Sequence, residues 1–168
     1  MLDAAKQYLI DLLDNKKYWL TFTGPTEVGK THLLRRIFRI VRDNDFPITY
    51  KLGFPYVKFT SLYKLVSDFL EGKVNHSDIK HCGLLVIEEF LSGTTSTKYN
   101  EIMIEKSHEI LNERLNKPTL IDTNKSISEI QNIDPRIASR LFRSNGVVVD
   151  IPIGTQGYLL RKHASNRK

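Results

Sequence analysis

Gly24-Pro-Thr-Glu-Val-Gly-Lys-Thr31 places a glycine, four residues and then Gly-Lys-Thr in a row, which is the spacing of a phosphate-binding loop. Each residue type in it has a physical reason. Glycines at 24 and 29 let the backbone turn and approach a polyphosphate with no Cβ in the way. The loop N–H groups form an anion nest, and the helix that follows adds its positive end. Lys30 is the cation for the β- and γ-phosphates, and the Thr31 hydroxyl is the oxygen for Mg²⁺. The nucleotide-contacting set read from the motif is Gly24, Pro25, Thr26, Glu27, Val28, Gly29, Lys30, Thr31 and His32, with ATP and Mg²⁺ as the expected ligands.

A second cluster stands at the end of an apolar run, Leu84-Leu-Val-Ile-Glu-Glu89, the form of a Walker B strand. Phosphate chemistry needs one acid near the metal and another to orient or activate water. Glu88 takes the metal side with Thr31, and Glu89 is the base. Aspartate is usual at the first position. A glutamate is one methylene longer and would reach through a water or push the metal slightly. The plain alternative is an ordinary strand whose two acids face solvent.

These residues need elements to hold them. Tyr18 to Thr23 is rich in β-formers and reads as a strand entering the loop, and Thr31 to Arg42 reads as a helix leaving it. Residues 3–14 form a leading helix with Ala5, Leu9, Ile10, Leu12 and Leu13 available for its inner face. Tyr56 to Thr60 alternates as a strand, Ser61 caps a helix over 62–70, and Cys82 to Glu89 is a strand buried on both faces. A polar loop over 92–97 leads to a long helix, Tyr99 to Leu115, with Ile102, Met103, Ile110, Leu111 and Leu115 inward. Then come a strand over 118–124, short helices over 127–130 and 135–142, and a strand over 146–151. Alternating strands and helices predict an α/β fold, a mostly parallel five-stranded sheet covered on both sides, which with the phosphate loop makes a three-layer P-loop NTPase core. Such sheets bind ligands at the carboxyl ends of their strands. The phosphate loop, Glu88, Glu89 and Asn124 all fall at such ends.

Composition bounds the class. With 40% apolar and 26% charged residues over 168 positions, the chain reads as one soluble globular domain. No apolar run matches a membrane span. A single cysteine, Cys82, excludes an intrachain disulfide and suits a reducing cytoplasm. A net charge of +6 favours an anionic partner, part of it in a basic tail over 162–168 expected to be flexible.

Taken in order, the motifs resemble the AAA+ ATPase domain of bacterial and phage helicase loaders of the DnaC/DnaI type, with IstB and DnaA as relatives. The resemblance covers nearly the whole chain, to about Tyr158, and implies an AAA+ core with no separate helical lid domain. It is carried by Gly29-Lys-Thr-His-Leu-Leu34, by Val57-Lys-Phe-Thr-Ser-Leu-Tyr-Lys-Leu65, and by Glu109-Ile-Leu-Asn-Glu-Arg-Leu-Asn-Lys-Pro-Thr119. Thr123-Asn124 matches the sensor 1 pair, and Arg136-Ile-Ala-Ser-Arg-Leu141 matches the box VII pattern. The resemblance implies that Asn124 positions the lytic water between Glu89 and the γ-phosphate. It implies that Arg140 is an arginine finger acting on ATP held by a neighbouring copy, with Arg136 in support, Arg143 next in line and Arg161 in a minor nucleotide role. For Arg136, Arg140 and Arg143 a solvated basic helix face is the plain alternative.

A finger that acts in trans implies assembly into a ring or spiral. The resemblance further implies single-stranded DNA in the central channel and a replicative DNA helicase as partner. Single-strand binders combine cations with flat side chains. Phe54, Tyr56, Lys58, Tyr63 and Lys64 supply both, as could the loop over 92–98, and Tyr63 with Lys64 is the leading pair. Arg35, Arg39 and Arg42 form a stripe that reads as a solvated face or a subunit contact. Loaders carry an N-terminal helicase-binding domain, and only a short helix precedes the first strand here. The function expected is an ATP-dependent helicase loader. The alternatives are an IstB-like transposition helper, a small-molecule kinase, or a nucleotide-binding adaptor without turnover.

Overall fold

The structure is a computed structural model that describes residues 1–16, 18–47, 57–92, 97–143, 146–152 and 154–155, with the backbone alone at 97–100 and 143. Among the described residues five strands, β1 (Trp19–Thr23), β2 (Val57–Ser61), β3 (Leu84–Glu88), β4 (Thr119–Asp122) and β5 (Val147–Asp150), form one sheet in the order β2-β3-β4-β1-β5. Every neighbouring pair is parallel. The helices between them are α1 (Leu2–Leu13), α2 (Lys30–Asp43), α3 (Leu62–Leu70), α4 (His76–His81), α5 (Thr97–Glu113), α6 (Ile127–Ile133) and α7 (Pro135–Arg143). This is the three-layer α/β arrangement that the alternation of elements predicts.

Side chains alternate across a strand, and both faces here are apolar. Leu20, Phe22, Leu84, Val86 and Leu120 pack with Ala5, Tyr8 and Leu12 of α1 and Leu34, Ile37 and Val41 of α2. Trp19, Leu85, Ile87 and Ile121 face the other way, onto Leu62, Leu65 and Val66 of α3, Ile79 of α4, and Met103, Ile110 and Leu111 of α5. Ile130 of α6 and Ile137 and Leu141 of α7 complete that layer. A sheet covered on both sides explains why β3 reads as an unbroken apolar run.

Two local readings change. On α1 the inner face is Ala5, Tyr8 and Leu12, while Ile10 and Leu13 are exposed. The helix meets the sheet through positions three and four apart, and Ile10 and Leu13 fall off that line. Helix α4 was not expected. A capping box formed by Asn75 and Asp78 starts it, satisfying backbone donors at the helix start.

At the amino ends of β3 and β4 lies a buried arginine with no sequence motif to announce it. Arg114 is fully buried. Its guanidinium donates to the carbonyls of Ile79 (3.0 Å), Cys82 (2.6 Å), Gly83 (3.4 Å) and Pro118, and to Thr119 Oγ1 (3.1 Å). Its own carbonyl accepts from Trp19 Nε1 at 3.0 Å. Burial pushes the guanidinium down to about 10. The fork knits the segments that enter two adjacent strands, so it fixes their register from the end opposite the phosphate loop.

Candidate nucleotide site

The phosphate loop joins β1 to α2. Its first glycine is required sterically: Gly24 has φ +125°, and a Cβ there would lie 2.5 Å from the carbonyl oxygen of Ile151. Gly29, at φ 96°, caps α2 in a left-handed conformation that glycine adopts without a Cβ penalty. The loop then turns Lys30 back on itself. The ammonium donates to the carbonyls of Gly24 (2.8 Å) and Pro25 (2.6 Å) and to Asn124 Oδ1 (2.9 Å). Burial lowers its pKa from lysine's ordinary value, opposed by the charge of Asp122. All three ammonium protons are therefore engaged.

A cavity of about 370 Å³ opens beside the loop, lined by Thr26, Glu27, Gly29, Lys30, Thr31, His32, Glu89, Asp122 and Asn124. Of the nucleotide-contacting set, Gly24 and Pro25 contribute their carbonyls to Lys30, while Val28 is buried. Glu89 and Asn124 stand in the same cavity as Lys30 and Thr31, which brings together residues from the ends of three strands.

Asp122 had no expected role. It is almost completely buried at the end of β4. Its Oδ2 accepts from the Thr31 hydroxyl at 2.6 Å, and its Oδ1 accepts from the Glu89 N–H at 2.6 Å. Its carbonyl accepts from the Phe90 N–H at 2.8 Å. These bonds hold the chain leaving β3 while Glu89 sits at φ 54°, a conformation that costs a non-glycine residue about 1 kcal/mol or more. The signal that could have found Asp122 is an ionisable residue closing the apolar strand Thr119-Leu-Ile-Asp122.

Glu88 lies apart from this cavity lining. Its Oε2 pairs with Arg35 Nη2 at 3.1 Å, and the same guanidinium lies 5.6 Å over the Phe59 ring. The arginine stripe on α2 is thus engaged within the chain at two of its members, since Arg42 pairs with Asp43 at 2.7 Å and lies over Phe38.

Arg136 and Arg140 do not line the phosphate cavity. They share a second one, about 700 Å³, formed mainly by α7 with His108 of α5 and Gln131 of α6. Asp134 caps α7, accepting from the Arg136 N–H at 2.7 Å, and pairs with the Arg136 guanidinium at 2.7 Å. Arg140 Nε donates to Asn112 Oδ1 at 2.8 Å. Tyr63 and Lys64 sit at the start of α3. The Tyr63 ring is exposed, and Lys64 pairs with Asp68 at 3.0 Å. Phe54, Tyr56, Arg161 and the tail over 162–168 lie outside the described residues, as does most of the loop over 92–98, and for Arg143 only the backbone is described.

The strand order and the loop-helix geometry can be set beside solved structures. The chain is similar to the DnaC helicase loader, at 19% identity over 90% of this chain and 88% of that one, with a TM-score of 0.64. It is similar to DnaI, at 17% identity over 90% of this chain and 84% of that one, with a TM-score of 0.63. The fold is that of the AAA+ proteins. A third AAA+ neighbour is the replication initiator DnaA bound to AMPPCP and single-stranded DNA, at 20% identity over 98% of this chain, with a TM-score of 0.65. The chain spans about half the length of that DnaA, 50%. No protein-family model matches the chain. Among the described residues no helix is long and apolar enough to cross a membrane.

Proposed function

We propose that this chain is an ATPase that loads a replicative DNA helicase onto single-stranded DNA, working as a ring or spiral of copies in the cytoplasm. The observation that carries the reading is the split of its polar and charged site residues between two cavities. Lys30, Thr31, Glu89 and Asn124 line one, and Arg136 and Arg140 line another. A complete phosphoryl-transfer site needs both sets, so each copy would complete its neighbour's. Support also comes from proteins of the same fold, a helicase loader and an initiator bound to AMPPCP and single-stranded DNA.

The residues fit a nucleotide with magnesium. The cavity offers a hydroxyl and carboxylate oxygens, the hard donors that Mg²⁺ prefers. Among the described residues no group of three or more His, Cys, Asp or Glu could hold a metal by itself, which suits an ion that shares its ligands with phosphates. When bound, Mg²⁺ would neutralise charge on the phosphate oxygens. Lys30 would leave the carbonyls of Gly24 and Pro25 for the phosphates. Glu89 would accept the proton of the attacking water, and Asn124 would orient that water. Arg140 of the adjacent copy, supported by Arg136, would stabilise charge on the transferred group. Tyr63 and Lys64 would meet DNA by stacking and by charge.

The test is ATP hydrolysis against protein concentration, with and without single-stranded DNA. Turnover per chain should rise with concentration, and Arg140→Ala should lose about a thousandfold. Mixing equal amounts of Arg140→Ala and Lys30→Ala should restore activity at about a quarter of interfaces, because an intact site then meets an intact finger. Equal turnover by wild type and Arg140→Ala as monomers would rule the reading out. Capture of a transposase in place of a helicase would favour an IstB-like role.

A further inference from the structure

We propose that Asp122, on the strand beside the phosphate loop's own strand, is the magnesium-side carboxylate of this site, and that Glu88 serves instead as the partner of Arg35. The inference rests on the nucleotide reading of the cavity. Leu84 and Val86 of β3 and Leu120 of β4 all face the α2 layer. Two residues further along each strand, Glu88 and Asp122 continue that face. Helix α2 meets them with Thr31 and Arg35, four residues and one turn apart. Thr31 donates to Asp122 at 2.6 Å and Arg35 to Glu88 at 3.1 Å. The helix therefore sorts the two acids, one to the hydroxyl and one to the guanidinium.

The sorting leaves Asp122 as the carboxylate suited to a cation. It lines the phosphate cavity with Thr31. Its carboxylate oxygens accept from neutral donors, the Thr31 hydroxyl and the Glu89 N–H, and keep their negative charge for a metal. Glu88 has spent its charge on Arg35. A threonine hydroxyl has one proton and two lone pairs. Donating that proton to Asp122 leaves the lone pairs for the metal. Strand order supplies the reason Asp122 is the nearer acid. β4 lies directly beside β1, with Phe22 opposite Asp122, whereas β3 is one strand further out. The glutamate at 88, one methylene longer than the usual aspartate, has the reach to meet Arg35.

The test is equilibrium binding of a fluorescent, non-hydrolysable ATP analogue across a magnesium titration, with Mn²⁺ electron paramagnetic resonance on the same samples. Asp122→Asn should raise the magnesium concentration at half-effect by about tenfold or more, while affinity in EDTA stays within about threefold. Glu88→Gln should leave the magnesium midpoint within about twofold of wild type. An unshifted midpoint in a folded Asp122→Asn protein, or a tenfold shift in Glu88→Gln, would overturn the assignment. The Glu88→Gln result decides by itself if Asp122→Asn does not fold. Wild-type protein that binds no nucleotide would instead overturn the nucleotide reading and this assignment with it.

Discussion

The Lys30 ammonium donates to Asn124 Oδ1 at 2.9 Å, joining the phosphate loop to the end of β4 across 94 residues. With the carbonyls of Gly24 and Pro25 it completes a set of three acceptors around the cation. A nucleotide has to replace these partners with phosphate oxygens, so the two residues should fail differently when changed. Lys30→Ala removes a charge-assisted contact and should weaken ATP binding about tenfold to a hundredfold. Asn124→Ala should change affinity little and lower the hydrolysis rate by about a hundredfold or more, the scale of losing one oriented polar group. Nucleotide titrations and single-turnover rates on both variants separate the two outcomes.

Arg114 should be the most sensitive charged residue away from the site. Four carbonyls, those of Ile79, Cys82, Gly83 and Pro118, take its protons inside the protein. Arg114→Met keeps much of the volume and orphans these acceptors, each of which costs about 1 kcal/mol or more when left unpaired. A loss of about 3 kcal/mol is expected, read as a lower denaturant midpoint with nearly unchanged slope. Arg114→Lys should recover only part of it, because an ammonium lacks the planar fork.

Acid should weaken the α7 end of the molecule. The Arg136 guanidinium beside Asp134 holds its carboxyl below the ordinary aspartate value. A depressed folded pKa means stability that is present above the unfolded value near 3.8 and is lost as pH falls through the folded one. Asp134→Ala also removes the helix cap and should cost about 1 kcal/mol at neutral pH. The variant should lose less further stability than wild type between pH about 5 and pH about 2. Urea midpoints measured across that range check the sign.

Much of the fold was legible because it is written in local patterns. The unbroken apolar run of β3 announces burial on both faces, and the Gly-Lys-Thr turn announces where β1 ends and α2 begins. Edges were less legible. Ile10 and Leu13 read as core because α1 carries more apolar residues than its contact line uses. Helix α4 was missed because its signal is polar, the pairing of Asn75 with Asp78, within a segment too short for periodicity to register.

By itself the sequence determined the chemistry that lies within a few residues along the chain: the glycines of the loop, Lys30, Thr31, and the acids closing β3. Backbone conformation and helix direction are local, so spacing suffices to place them. The tertiary structure alone decided which acid meets Thr31 and what Arg114 does. Glu88 and Asp122 end neighbouring strands on the same face, and nothing in either strand says which will lie under which turn of α2. That choice follows from the sheet order β2-β3-β4-β1-β5 and from the rotation of α2 about its axis. Both are set by the packing of the whole core, including Leu34, Ile37 and Val41 against the sheet, because close packing leaves one azimuth for the helix and hence one partner for each side chain.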